Sequence, residues 1–120
     1  MEPSDCIFCK IVIKEAQSEI VAEDDSFVAF NDIRPKAPVH LLVVPKIHIA
    51  SVSELKREHR ELMGDMILFA QKVAEKLGVA QSGYKLIFNV GRGGGQVIDH
   101  IHLHILGGWG TNVPASQFTA

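Results

Sequence analysis

Residues Asp99–Leu106 read DHIHLHIL and place three of the chain's six histidines at alternate positions. In an extended strand, residues i, i+2 and i+4 face one side. His100, His102 and His104 are therefore expected on one face, ~6.6 Å apart at a rise of ~3.3 Å per residue. Ile101, Leu103 and Ile105 would face the other side, toward the core. A half-buried strand ordinarily carries Thr, Lys or Glu outward, so three imidazoles there point to chemistry. Two chemistries suit them. The three together can bind zinc, for which imidazole is a good ligand at ~2.0–2.1 Å. Alternatively they handle phosphate, one as nucleophile and the others as proton or hydrogen-bond donors. An imidazole with an ordinary pKa of ~6.5 is largely neutral and nucleophilic near pH 7, while a neighbour can be cationic.

The segment feeding this strand, NVGRGGGQV at residues 89–97, favours phosphate. Its glycines let backbone N–H groups approach an anion closely. It lacks the Lys-Ser/Thr of a Walker loop. Gly95, Gln96 and Asn89 are candidate donors to phosphoryl oxygens, and His40 on an earlier strand is a further candidate for the site.

The rest of the chain supplies the frame. Ser4 or Asp5 is a candidate cap for a short helix through CIFCKIVIK. EIVAEDDSFVAFND reads as two short strands around an acidic turn at Glu23–Ser26. IRPKAP is a loop, and VHLLVVP a strand that Pro45 stops. From about Ser53 to Leu77, Leu62, Met66, Phe69 or Ala70, Val73 and Leu77 recur every three to four residues, which predicts a long amphipathic helix. Gly78 is its natural stop. YKLIFNV and VIDHIHLHIL are the last strands, and GGWG breaks the second. Short links between neighbouring strands favour an α+β fold. It has an antiparallel five-stranded sheet, one long helix and a short N-terminal helix.

With 120 residues, 47% apolar and 22% charged, the chain is expected to form one globular domain over 1–120, with a core at about 6–109 and a tail at 110–120. The formal net charge of −2 gives no footprint for nucleic acid. No apolar run reaches the ~20 residues of a membrane span. The acidic start MEPSD is unlike a secretory signal. The expected compartment is the reducing cytoplasm, where a structural disulfide between Cys6 and Cys9 is disfavoured.

The chain resembles the histidine triad (HIT) family, whose signature of three histidines alternating with apolar residues stands here as HIHLHIL. AEDDSFVAFNDIRPKAPVHLLVVPKIHI, GYKLIFNVGRGGGQ and HIHLHILGG follow the family's order and spacing across about residues 6–109. The likeness is strongest to the Hint branch of purine nucleoside phosphoramidases, in its bacterial members. It implies that His102 attacks the α-phosphorus of a purine nucleoside 5′-phosphoramidate, or a related adenylate. A covalent nucleotidyl-histidine forms, and water releases an AMP-type monophosphate. His104 and His40 would relay a proton to the leaving amine or bind phosphoryl oxygens. Asp32 would grip the ribose hydroxyls, although read alone it is a solvated turn residue before Pro35. Phe8, Phe30, Ile33 and Leu42 are candidates for the purine slot, each equally readable as core. At Val97 the chain departs from relatives that commonly carry Ser or Thr. A hydroxyl near the phosphate is missing there and only the backbone N–H remains. No organic cofactor is implied. The branch is homodimeric, with a tail that reaches the partner's site. Trp109 and the residues after it are the candidates here.

Cys6 and Cys9 lie one helical turn apart on one face. They read as two small buried residues or as metal ligands, a redox pair being disfavoured because the flanking chain lacks a strand-then-helix pattern. Some HIT relatives bind structural zinc with this pair, a histidine of the KxHI segment and the first triad histidine, which are His48 and His100 here. Two other functional classes remain open from sequence. One is a zinc hydrolase that uses all three triad histidines. The other is a nucleotide-binding protein without catalysis.

Overall fold

A computed structural model describes residues 5–111 of the chain. A short helix α1 (Ile7–Val12) leads into strands β1 (Ile20–Glu23), β2 (Phe27–Asn31) and β3 (Val39–Pro45). Helix α2 (Arg60–Lys76), β4 (Tyr84–Ile87) and β5 (Leu103–Gly107) follow. The five strands form one antiparallel sheet in the order β1-β2-β3-β5-β4. The α+β class, the five-stranded sheet and the two helices are as expected.

Strand alternation separates two apolar layers. Phe27, Ala29, Leu41, Val43, Leu103 and Ile105 face α2, where Met66, Phe69, Ala70 and Val73 cover them. Val28, Phe30, Leu42 and Val44 face the opposite way and pack with Phe8 and Ile11 of α1. The histidines of β3 and β5 stand on this second side, since His40 alternates with Leu41 and His104 pairs with Leu42. Burying one face under the long helix leaves the other for α1 and the imidazoles.

Five boundaries differ from the sequence reading. The cap of α1 is Cys6, whose Sγ accepts the Cys9 N–H at 3.4 Å, and not Asp5, while Ser4 lies outside the described residues. The helix ends at Val12, and Lys14 beyond it adopts a left-handed φ of 66°. Helix α2 begins at Arg60, since Leu55 and Lys56 are extended and 3₁₀ turns occupy Val52–Glu54 and Arg57–His59. Strand β4 stops at Ile87, and β5 spans only Leu103–Gly107. Residues 97–102 lie outside any strand, with bends at 98–100, and are pinned by the Ile101 N–H on the Ile49 carbonyl at 2.7 Å. Two of the three triad histidines thus precede the strand.

Gly78 ends α2 with a φ of 76°, as the sequence indicated. No described helix is long and apolar enough to cross a membrane. The expected tail beyond Thr111 lies outside the described residues.

Candidate functional site

The bends before β5 part the triad. His104 is on the strand, and its Nδ1 lies 3.0 Å from His40 Nε2 across the β3–β5 pair. His40 Nδ1 accepts the Lys36 backbone N–H at 3.0 Å. A neutral imidazole has one donor and one acceptor nitrogen. His40 therefore carries its proton on Nε2 and donates it to His104 Nδ1, which leaves the N–H of His104 on Nε2. His102 Nδ1 donates to the His100 carbonyl at 2.7 Å, so its Nε2 keeps a free lone pair. The His102 and His104 rings meet edge to face with centroids 5.1 Å apart, and Phe8 stands 5.1 Å from His102 on another side.

These imidazoles are held neutral. Burial pushes His104 down to about 4, aided by His102 and His40 beside it and opposed by Asp32. Burial likewise lowers His102 and His40. A neutral His102 with a bare Nε2 is the nucleophilic form of the residue.

The glycine-rich loop is braced from within. Gln96 is 2% exposed. Its amide donates to the Ala50 and Ile98 carbonyls at 2.7 and 2.9 Å and accepts the Gly91 N–H at 2.9 Å. The backbone N–H groups of Gly95 and Gln96 bond to Arg92 and Gly91 carbonyls inside the loop. Asn89 gives one amide hydrogen to the Gly94 carbonyl at 2.9 Å. The donors expected from Gly95 and Gln96 are thus turned into the loop, because a six-residue turn must satisfy its own polar groups. Arg92 was not anticipated. Its guanidinium bonds the Gln96 and Val97 carbonyls and reaches Asp99 at 3.2 Å. The available signal was an Arg inside the glycines with an Asp seven residues on.

Asp32 Oδ2 lies 3.4 Å from His40 Nε2. A cleft of about 390 Å³ opens beside this pair, lined among others by Glu19, Asn31, Asp32, Ile33, Pro35 and His40. Ile33 is 89% exposed there and Val97 is 75% exposed. Phe8 and Phe30 instead pack on each other at 5.4 Å and are buried, as is Leu42. Glu19 and Asn31 escaped the sequence reading, since a lone Glu and Asn carry no pattern.

A second cluster joins Cys6, Cys9, His48 and His100, whose donor atoms all lie within 4.8 Å of one another. His100 Nε2 donates to the Pro45 carbonyl at 2.9 Å, so its Nδ1 lone pair points at both thiols, each 3.4 Å away. His48 Nδ1 is 3.2 Å from the Cys9 sulfur. Ligands ~2.0–2.3 Å from a tetrahedral centre stand about 3.3–3.8 Å apart, so the donor set fits zinc. The outer nitrogen of His100 held on a carbonyl is the usual support of a metal-bound imidazole. Burial, with Cys6 alongside, pushes the Cys9 thiol up to about 11. Among the described residues the triad is no single ligand set. His100 belongs with the cysteines, His104 groups with Asp32 and His40, and His102 belongs to neither group. This removes the geometry that a three-histidine zinc hydrolase needs.

The profile of the HIT domain matches residues 13–110. The chain belongs to the HIT family. Its triad is HIHLHIL, and relatives share the frame. Over 102 residues it is 49% identical to the purine nucleoside phosphoramidase of Escherichia coli K12, covering 85% of this chain and 86% of that protein. A HIT family hydrolase from Legionella pneumophila superposes with a TM-score of 0.86 at 45% identity, covering 92% of this chain and 98% of the other. A zinc-bound histidine triad family protein from Mycobacterium smegmatis matches with a TM-score of 0.74 at 30% identity, over 88% and 76% of the two chains. The HIT sheet therefore carries both clusters, a proton-wired histidine pair with His102 beside it and a thiol–imidazole set behind.

Proposed function

We propose that this HIT protein cleaves the P–N bond of purine nucleoside 5′-phosphoramidates, or related adenylates, through a covalent nucleotidyl-histidine at His102. It releases an AMP-type nucleoside monophosphate. The observation that carries this reading is the tautomer of His102. With Nδ1–H held on the His100 carbonyl at 2.7 Å, Nε2 is left as an unprotonated nucleophile beside His104. The names of the E. coli and Legionella relatives, a phosphoramidase and a hydrolase, support the same reaction class.

In this reading Asp32 and Ile33 hold the nucleoside in the cleft, and His40 and His104 manage the proton that the leaving amine needs. Asn89 keeps one amide hydrogen for a phosphoryl oxygen. Gly95 and Gln96 act by shaping the loop that precedes His102. Phe8 and Phe30 back the site as a rigid aromatic pair. Val97 offers its backbone N–H and an isopropyl group where relatives place a hydroxyl.

Zinc belongs to the proposal as a structural ion on Cys6, Cys9, His48 and His100. The donor spacing and the zinc-bound mycobacterial relative support it. When bound, the metal would tie the start of α1 to the segment after β3 and to the lead-in of β5. It would thereby fix the backbone that holds His102. Two free thiols in such a set suit a reducing compartment, so the cytoplasm is the proposed location. A homodimer is proposed as well. Strand β4 is a sheet edge, and Ile67 and Leu68 of α2 are 43% and 56% exposed. Neither nucleic acid nor membrane is a proposed partner.

The test is mass spectrometry of the enzyme quenched while it turns over an adenosine 5′-phosphoramidate. A nucleotidyl adduct on the peptide containing His102 is expected, along with loss of adduct and turnover in His102→Ala. Full turnover in that variant would sink the reading.

A further inference from the structure

Asp32 sits where two tasks meet. Its Oδ1 accepts the Arg34 backbone N–H at 2.9 Å, a turn that aims Oδ2 at His40. Oδ2 is 3.4 Å from His40 Nε2, and that nitrogen is 3.0 Å from His104 Nδ1. The His40 side chain is 2% exposed and that of Asp32 19%. The donor atoms of Asp32, His40 and His104 lie close enough together for a metal ion. The Lys36 N–H on His40 Nδ1 argues otherwise, because it leaves Nε2 protonated and without a lone pair for a metal. The group is wired for protons.

The charges around the pair are unequal. Burial, His102 and Lys36 all disfavour an imidazolium at His104, and burial and Lys36 disfavour one at His40. Asp32 alone among the groups acting on both rings favours it. We infer that Asp32 is a positioning residue of the histidine pair, and that its carboxylate retains on His40–His104 the proton the leaving amine must receive. This rests on the reading of His102 as nucleophile.

The proton count closes. His102 Nε2 bonds to phosphorus while the P–N bond to the amine breaks and its electron pair goes to nitrogen. That nitrogen takes the Nε2 proton of a His104 imidazolium, so the amine leaves neutral and His104 becomes neutral. His102, still holding its Nδ1 proton, carries the nucleotidyl group as a cation. Water then attacks phosphorus and gives its proton to His104 Nε2, and the electron pair of the P–N bond returns to His102. In the free protein burial keeps the pair neutral, so the pair takes up its extra proton when the anionic phosphoramidate enters the site and ends each turnover with it. Asp32 would hold that proton on the pair while the substrate is bound.

The experiment separates this role from a ribose contact. Asp32→Asn retains shape and removes charge. Turnover of an adenosine 5′-phosphoramidate is followed against pH in wild type, Asp32→Asn and Asp32→Glu, with a 2′,3′-dideoxy substrate on wild type. The ring protons of His40 and His104 are titrated by NMR in the same free proteins. The expected result is that Asp32→Asn moves the basic limb of kcat to lower pH by about one unit or more. Turnover above that limb should fall about tenfold for each unit. The histidine titrations should move the same way, and Asp32→Glu should restore both. The dideoxy substrate should raise KM and leave the limb in place. If Asp32→Asn raises KM alone and the ring titrations stay put, Asp32 is a ribose contact only and the inference is overturned. If wild type turns over no phosphoramidate, the reading of His102 fails. The ring titrations then still decide whether Asp32 holds the pair's proton.

Discussion

His100 shows how much depends on which nitrogen faces which neighbour. Its Nε2 is tied to the Pro45 carbonyl and its Nδ1 turned to Cys6 and Cys9. The residue types were legible in the sequence, but the partner is a backbone carbonyl 55 residues away, and a backbone atom has no identity to read. Cys9 makes the metal reading testable. Its thiol, pushed up to about 11, is protonated at neutral pH, whereas zinc binds the thiolate. Adding zinc to metal-free protein at pH 7 should therefore release a proton from Cys9, measurable by calorimetry in two buffers of different ionisation enthalpy. Cys9→Ala should release fewer protons than wild type and bind zinc more weakly. Zinc uptake with no proton release would argue against thiolate ligation.

The glycine loop and strand β5 form one mechanical unit. Residues 97–102 depart from strand geometry because Gln96 holds the Ala50 and Ile98 carbonyls and the Ile101 N–H is claimed by Ile49. Alternation alone predicted that the three histidines share a face. It holds from Leu103 onward, where the β3–β5 ladder begins, and fails before it, where loop bonds replace the ladder. Gln96→Ala would leave the Gly91 N–H and two carbonyls without their partner. A cost of about 1–3 kcal/mol is expected, read as a lower urea midpoint. Turnover should fall as well, since the backbone holding His102 Nδ1 follows the loop. Unchanged midpoint and turnover would show that the brace is dispensable.

The two-sided sheet gives the whole protein a pH signature. His104 is pushed down to about 4 from an ordinary 6.5, and burial lowers His40 as well. The unfolded chain therefore binds protons that the folded chain refuses as pH falls through this window. Stability contributed by keeping these rings neutral is full above about pH 6.5 and declines toward about pH 4, the midpoint of folded His104. Thermal unfolding across that range should show a falling melting temperature, with a shallower slope in His104→Gln. A slope identical to wild type in that variant would assign the acid sensitivity to other groups.

The apolar alternation of residues 101, 103 and 105, the stripe on α2 and the order of elements follow from local chemistry, because periodicity tells a helix from a strand and a buried face from an exposed one. The same local chemistry marked the histidines, the cysteines and the glycines as the residues to watch. Their division into a nucleophile, a proton pair and a metal ligand arose only on folding. It depends on contacts that span 64 residues for His40 with His104 and 94 for Cys6 with His100. It depends equally on single backbone N–H and carbonyl groups that fix each ring's proton. Such groups are alike at every position of a chain, so their effect exists only once folding has chosen which imidazole they meet.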